Sequence, residues 1–406
     1  MTIFPYIATA KALRELCERL RDSPRVALDT EFVGEDTFVP KLELVQMATD
    51  DMAAVIDFPA VQHSHALDLL WEILCNPAIQ KVVHAGRQDL DLFAIHAGRI
   101  PKPFFDTQIA AAMVGYGAQV AYASLVQRVH GAKLEKAHTF TNWSTRPLSR
   151  EQLAYALDDV IYLLAIYDHL YARLSQAGRL EWAVEEFARL ESVVGEMRSN
   201  SQDRYQRIKG WNTLKPKSAA VLRALTAWRE DEAKRRNSPR GRVIRDEVLL
   251  QLARHPPRTL QALRTVRGLH ESEINRSGAA LLDVISAALA LPPSEWPQVP
   301  RERKSEPEST GLVELLQAVL KARAAQEDIA PALLGTTADL QALAEAKGRC
   351  AADHCVSLDL PLLRGWRKEI VGDLLLDVLD GRLAVRVDPL TRMVSWTSVE
   401  ENRTLD

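Results

Sequence analysis

The chain has 406 residues, 47% of them hydrophobic and 26% charged, with a net charge of −3. That is the composition of ordinary globular protein with two to three domains, and with no run of eighteen or more apolar residues a transmembrane helix is excluded. The start, MTIFPYIATAKALRELCERL, lacks the basic, apolar and cleavage regions of a secretory signal, and four cysteines in the whole chain make no disulfide framework, so a reducing, cytoplasmic setting is expected.

Residues 1–196 alternate between two periodicities. Strands are expected at Arg25–Val33, Leu42–Ala48, Ala53–Asp57 and Lys81–His84. Helices are expected at Ala10–Arg21, Ala66–Cys75, Gln88–Ala97, Thr107–Gly115, Tyr122–Val129, Arg150–Ser175 and Leu180–Met197. The first strands follow each other closely and should pair antiparallel, giving a mixed sheet flanked by helices.

After Met197 the strand signal ends. SNSQDRYQRIKGWNTLKPKS reads as a linker into a helical module with helices at Ala219–Arg236, Asp246–His255, Leu260–Thr265 and Glu271–Ala290. The proline-rich, charged LPPSEWPQVPRERKSEPEST reads as a second linker, and another helical module follows from Gly311 to about Asp380. The expected division is 1–196, 210–294, 310–385 and a tail, 386–406, that is either a hairpin or loose. Cys350, His354 and Cys355 in CAADHC have the wrong spacing for a zinc knuckle, and buried helix cysteines are expected instead.

Charge is unevenly spread. Residues 1–200 carry a net −7, residues 201–280 a net +10 and residues 281–406 a net −6. A basic block inside an acidic chain is the footprint of a polyanion partner, although a solvated helical surface looks the same by charge alone. Within it, WREDEAKRRNSPRGRVIRDEVL places Lys234, Arg235, Arg236, Arg240, Arg242 and Arg245 around a helix–loop–helix.

The apolar strand PRVALDTEFVG carries two acids. Asp29 and Glu31 are two apart and share one face, while Thr30 faces away. Two carboxylates so close repel, and burial makes this worse. A Lys or Arg over that face would relieve them; a divalent cation would do so better. Solvated acids on an edge strand would also account for the pair. Downstream, Asp89 lies in the first turn of a helix, where the helix dipole alone would favour an acid. Ser149 and Gln152 make a capping box that starts a helix near Arg150. On that helix Tyr155 and Asp159 are four apart and share a face, either as a functional pair or as an anchor for the helix.

Asp29-x-Glu31 on a strand, Asp89 at a helix start and Tyr155-x3-Asp159 on a later helix resemble the DEDD superfamily of 3′–5′ exonucleases, tyrosine subclass. The surrounding VALDTEFVG, KVVHAGRQDL, FDTQIAAAMVGYG and NWSTRPLSREQLAYALDDVIYLL are similar to ribonuclease D, and both helical modules resemble HRDC domains, the second more weakly. The resemblance implies a ribonuclease H-like α/β domain followed by two all-α helical bundles. It selects Asp159 over Asp158 and Asp89 over Asp91. One departure is Asn142, where the family has Asp before the tryptophan; it bears on loop packing or substrate preference.

The implied chemistry is phosphodiester hydrolysis with two divalent cations about 3.5–4 Å apart. Asp29, Glu31, Asp89 and Asp159 would hold Mg2+ or Mn2+, which suit an all-oxygen site. Tyr155 would orient the attacking water, since a phenol with pKa near ~10 is a poor base. The resemblance further implies RNA as partner, 3′–5′ polarity, 5′-monophosphate products and trimming of tRNA precursors; a monomer is the default expectation. The same carboxylates would serve a DNA exonuclease, which differs in its 2′-hydroxyl contacts. A non-catalytic RNA-binding scaffold would not require all five residues.

Overall fold

The computed structural model describes residues 2–34, 36–134, 141–194, 204–299, 307–347 and 360–399. Cys350, His354 and Cys355, the end of the helix expected to reach Met197, and parts of both expected linkers lie outside the described residues. No helix among the described residues is long and apolar enough to cross a membrane.

The elements of the first part are β1 (Thr2–Ile7), α1 (Ala10–Leu20), β2 (Arg25–Val33), β3 (Lys41–Ala48), β4 (Met52–Asp57), α2 (Phe58–Val61), α3 (Ala66–Leu74), β5 (Gln80–Val83), α4 (Arg87–Ala97), β6 (Phe104–Asp106), α5 (Thr107–Ala112), α6 (Tyr122–His130), α7 (Arg150–Ile161), α8 (Leu163–Gln176) and α9 (Leu180–Val193). The strands form one mixed sheet in the order β1-β4-β3-β2-β5-β6. Its middle, β4-β3-β2, is antiparallel, and β1 and β5 join the two sides in parallel. β1 and β6 were not expected from the sequence. The single helix expected over Arg150–Ser175 is broken at Tyr162 into α7 and α8.

Alternation along the strands supplies two apolar faces. On one, Leu28, Val45, Met47 and Ile56 pack with Leu13 and Leu16 of α1 and Leu70 of α3. On the other, Ala27, Ala48 and Ala53 lie under Val160, Leu163 and Leu164, and Leu44 and Val55 lie under Trp143 and Ala156. Small alanines let α7 approach the sheet closely, so that its polar residues reach the acids of β2.

The second part holds α10 (Pro216–Arg235), α11 (Arg240–Val243), α12 (Asp246–Arg254), α13 (Leu260–Arg264) and α14 (Glu271–Leu289), closed around Leu222, Leu225, Leu249 and Leu281. It is seated on the loop that follows β2. Phe38 packs against its core, the Arg240 guanidinium lies 4.4 Å from the Phe38 ring centroid, and Arg242 pairs with Asp36.

The third part holds α15 (Pro307–Gln326), α16 (Pro331–Leu334), α17 (Thr337–Lys347), α18 (Gly365–Arg367), α19 (Asp373–Leu379) and a hairpin, β7 (Leu383–Val387) with β8 (Val394–Ser398). The described part of the tail left open from sequence therefore forms a hairpin, and β7 straddles position 385. This part shares a core with α5, α6, α8 and α9. Trp366 stacks on Trp182 at 5.1 Å, and the buried Arg367 binds Glu186 with both guanidinium arms.

Candidate active site

β2 carries Asp29 and Glu31 to the face covered by α7. The antiparallel register sets Gln46 opposite Asp29 and Leu44 opposite Glu31. From above, the capping box at Ser149 and Gln152 fixes the start of α7; both of its hydrogen bonds form, at 3.2 and 2.8 Å. Counting from that start, Ala156 and Val160 enter the sheet face, and Asp159 joins the β2 acids. Carboxylate oxygens of Asp29, Glu31 and Asp159 lie within 4.8 Å of one another.

Asp89 arrives from the side. The last β2–β5 pair is Ala27 with Val82, and β5 ends at Val83, which leaves the edge of β2 open beside Thr30. The chain then turns sharply into α4. A Cβ on Gly86 would sit 2.6 Å from Cβ and Cγ2 of Val83, so this turn closes tightly only with glycine. Asp106 holds the same turn, accepting from the Ala85 N–H at 3.1 Å and the Gly86 N–H at 3.0 Å. Asp89 is buried, and the Thr30 hydroxyl donates to its Oδ1. Thr30 points away from Asp29, as the alternation predicts, yet it anchors the fourth acid.

The electrostatics follow from this crowding. Burial, then the charges of Asp89, Asp159 and Glu31, push the Asp29 carboxyl well above its ordinary value. Glu31 is raised to about 8, by burial first and then by Asp159 and Asp89. Asp159 is raised to about 7 by burial, Asp158 and Asp89. Asp89 is raised to about 6, burial being opposed by the Thr30 hydrogen bond. Four carboxylates in such mutual range do not all ionise near neutrality without a cation. The donors are all oxygen, which suits a hard divalent cation. His84 stands apart from this set, its ring nitrogens bonded to the Thr107 hydroxyl at 2.9 Å and the Val120 carbonyl at 3.1 Å.

Tyr155 sits one turn before Asp159, its ring centroid 6.1 Å from that of Trp143. Trp143 is held by the loop 142–147. Arg146 binds Asp57 with Nε at 2.6 Å and Nη2 at 3.1 Å, and the Ser144 hydroxyl donates to Glu43 at 2.6 Å. Asn142 Oδ1 accepts from the Ser144 N–H at 3.0 Å, a turn contact that an aspartate oxygen makes equally well. The departure at Asn142 therefore leaves the loop intact.

Sequence reasoning missed Gln46, Thr30, Asp106 and the Arg146–Asp57–Glu43 network. Gln46 is fully buried on the Asp29 side of the sheet, and neither its amide nitrogen nor its oxygen has a hydrogen-bond partner among the described residues. A polar residue inside the apolar run Leu44–Ala48 was the available signal.

Of the basic residues singled out from sequence, four are engaged within the protein. Arg235 binds Glu232 at 2.7 Å, Arg236 binds Glu273 with both arms at 2.7 Å, Arg240 binds Glu230 at 2.6 Å, and Arg242 pairs with Asp36. Lys234 and Arg245 have no ion pair among the described residues. Trp211 and Trp228 pack against the core of the first helical module.

Comparison with known proteins agrees with this architecture. Residues 4–175 match the 3′–5′ exonuclease family model, and residues 218–285 match the HRDC domain. Ribonuclease D of Acidiphilium cryptum is 41% identical, over 93% of this chain and 94% of the relative. That of Gluconacetobacter diazotrophicus is 40% identical, over 94% of each. The crystal structure of Escherichia coli RNase D, described as an exoribonuclease involved in structured RNA processing, superposes with a TM-score of 0.80 at 30% identity, covering 93% of this chain and 98% of that one. On its fold, its domain order and its likeness over nearly the whole length, this chain belongs to the ribonuclease D family of 3′–5′ exoribonucleases.

Proposed function

We propose that Asp29, Glu31, Asp89 and Asp159 hold two divalent cations, Mg2+ or Mn2+, and that the chain uses them to hydrolyse RNA from its 3′ end, releasing nucleoside 5′-monophosphates. The convergence of three carboxylates within 4.8 Å, with a fourth in electrostatic range, carries this reading. Bound cations would supply an ionised water near neutral pH and stabilise the departing 3′ oxygen. The protein's part is placement. β2 fixes two acids through its register, Thr30 holds Asp89, and α7 sets Asp159. Tyr155, wedged beside Trp143, orients the attacking water; this is its subclass role and matches its place one helical turn from Asp159.

The substrate follows from the relatives. The Escherichia coli enzyme is described as acting in structured RNA processing, and trimming of tRNA precursors at the 3′ end is the reading for this chain. Lys234 and Arg245, with Arg235, Arg236, Arg240 and Arg242, form the basic side that meets RNA phosphates. The chain divides into an exonuclease domain at 1–196, HRDC-type modules at 210–294 and 310–385 and a tail at 386–406. It works as a monomer in the cytoplasm.

The test is Asp29→Asn on single-stranded RNA with a free 3′ end, titrated with Mg2+ and Mn2+. Turnover is abolished while RNA binding persists. Retention of more than a few per cent of activity would overturn the metal assignment.

A further inference from the structure

A second charged site lies away from the acids. A cavity of about 440 Å3 opens between the segment 204–208, α10, α11 and the start of α12, and Arg204, Arg207, Arg229, Arg240 and Arg245 line it. Three acids also line it: Glu230, Asp246 and Glu247. Glu230 is shared, with Arg240 at 2.6 Å and Arg204 at 3.5 Å, and Asp246 is taken by Arg229 at 2.6 Å. Among the described residues the lining therefore has five cations against three anions.

A purely structural ion network should satisfy its buried donors, because an orphaned charged N–H in a protein interior is costly. This one does not. Arg229 is 5% exposed, and its Nε has no hydrogen-bond partner among the described residues; the same holds for the buried Nη2 of Arg240. Burial and the neighbouring Arg240 also hold the Arg204 guanidinium below its ordinary value. Among the described residues the cavity lining thus holds more guanidiniums than carboxylates, and guanidinium forks match oxyanions by paired N–H bonds.

We propose that this arginine-lined cavity is a phosphate-binding site, taking one phosphate group with room for its attached sugar. The phosphate comes from one of two sources, a phosphodiester of the RNA chain or a released 5′-monophosphate. The proposal rests on the exoribonuclease reading for that source alone; the site itself stands on the cavity and on the excess of guanidinium over carboxylate in its described lining. It also touches the catalytic part, since Arg240 stacks on Phe38 in the loop that leaves β2.

The full chain in EDTA, which keeps cations out of the acidic cluster, is titrated with inorganic phosphate by calorimetry at ionic strength held constant with NaCl. Saturable one-site binding is expected. Arg245→Gln, which breaks no ion pair among the described residues, and Arg204→Gln each weaken it about tenfold, the loss of one charge-assisted contact. Arg258→Gln, at an exposed position elsewhere on the module, does not. Two further titrations in EDTA separate the sources. If an RNA oligonucleotide loses affinity in proportion in Arg245→Gln and phosphate displaces it, the occupant is the chain; if adenosine 5′-monophosphate loses affinity and the oligonucleotide does not, it is the product. Either result supports a phosphate site. Absence of saturable phosphate binding, or binding that Arg245→Gln and Arg204→Gln leave intact, overturns it. Cleavage could persist in either case, so the exoribonuclease reading does not fall with this one.

Discussion

Replacing Asp159 by Asn should stabilise the metal-free protein while removing its activity. The Asp159 carboxyl rises from 3.8 to about 7, first because it is buried, then because Asp158 and Asp89 are near. A rise of about three pH units corresponds to about 4 kcal/mol. Asp159 is partly exposed, so solvent screening reduces this to about 2 kcal/mol. The sign follows from linkage. A carboxyl raised in the folded state contributes stability that is fully present below its unfolded value near 3.8 and lost as pH rises through about 7. At pH 8 wild-type protein has lost that contribution, and the neutral Asn has not. In EDTA at about pH 8, Asp159→Asn should therefore melt ~4–8 °C higher, from ~2–4 °C per kcal/mol for a domain of this size. At about pH 5 the gap should fall to roughly a third, because the folded carboxyl is then protonated and only its unfolded counterpart is ionised. Added Mn2+ should raise the wild-type melting temperature and leave the variant nearly unmoved. An unchanged or lower melting temperature for the variant at pH 8, or a gap of equal size at pH 5, would refute the view that burial, reinforced by neighbouring acids, makes the ionised Asp159 costly.

Thr30→Val removes the hydroxyl that donates to Asp89, whose carboxyl then moves up from about 6; the acid limb of kcat/KM against pH should shift upward by about one unit, from a hydrogen bond to a charged group worth ~1.5–3 kcal/mol. An unmoved limb counts against Thr30 as the anchor. Arg146→Ala leaves the buried Asp57 without its ion-pair partner and frees the loop that seats Trp143 beside Tyr155, while Glu43 keeps Lys41 and Ser144. Urea unfolding should show a loss of about 3 kcal/mol and kcat should fall with little change in KM; a loss below about 1 kcal/mol would mean the network is dispensable.

Much of this site is legible in local pattern. Period-two alternation delimits β2 and puts Asp29 and Glu31 on one side, and the Ser149–Gln152 box sets the start of α7, while the choice of Asp159 over Asp158 rests on the family resemblance and agrees with the cluster found. What escapes is non-local. β6 has three residues, too few for a period to register. β1 reads as an apolar run interrupted by Pro5, which an edge strand tolerates because it need not donate on its outer side. The break at Tyr162 has no glycine or proline to mark it. The tie between Thr30 and Asp89 depends on where β5 stops, and that is a property of the sheet. The basic run is the converse case: its composition suggests phosphate contacts, and the structure adds that most of its guanidiniums are also bonded to acids of the same module.

Between Glu31 and Phe32 the β2–β3 register slips: Glu31 faces Leu44 and Phe32 faces Leu42, so Glu43 is one residue too many. That surplus residue turns Glu43 toward Ser144 and Arg146, while Leu42 drops into the apolar layer with Leu28. Trim the strand by one position there, and an acid would be driven into oil while a leucine surfaced near the hydrolytic groove. The length of this strand, as much as its lettering, keeps water and grease on their proper sides of the nuclease.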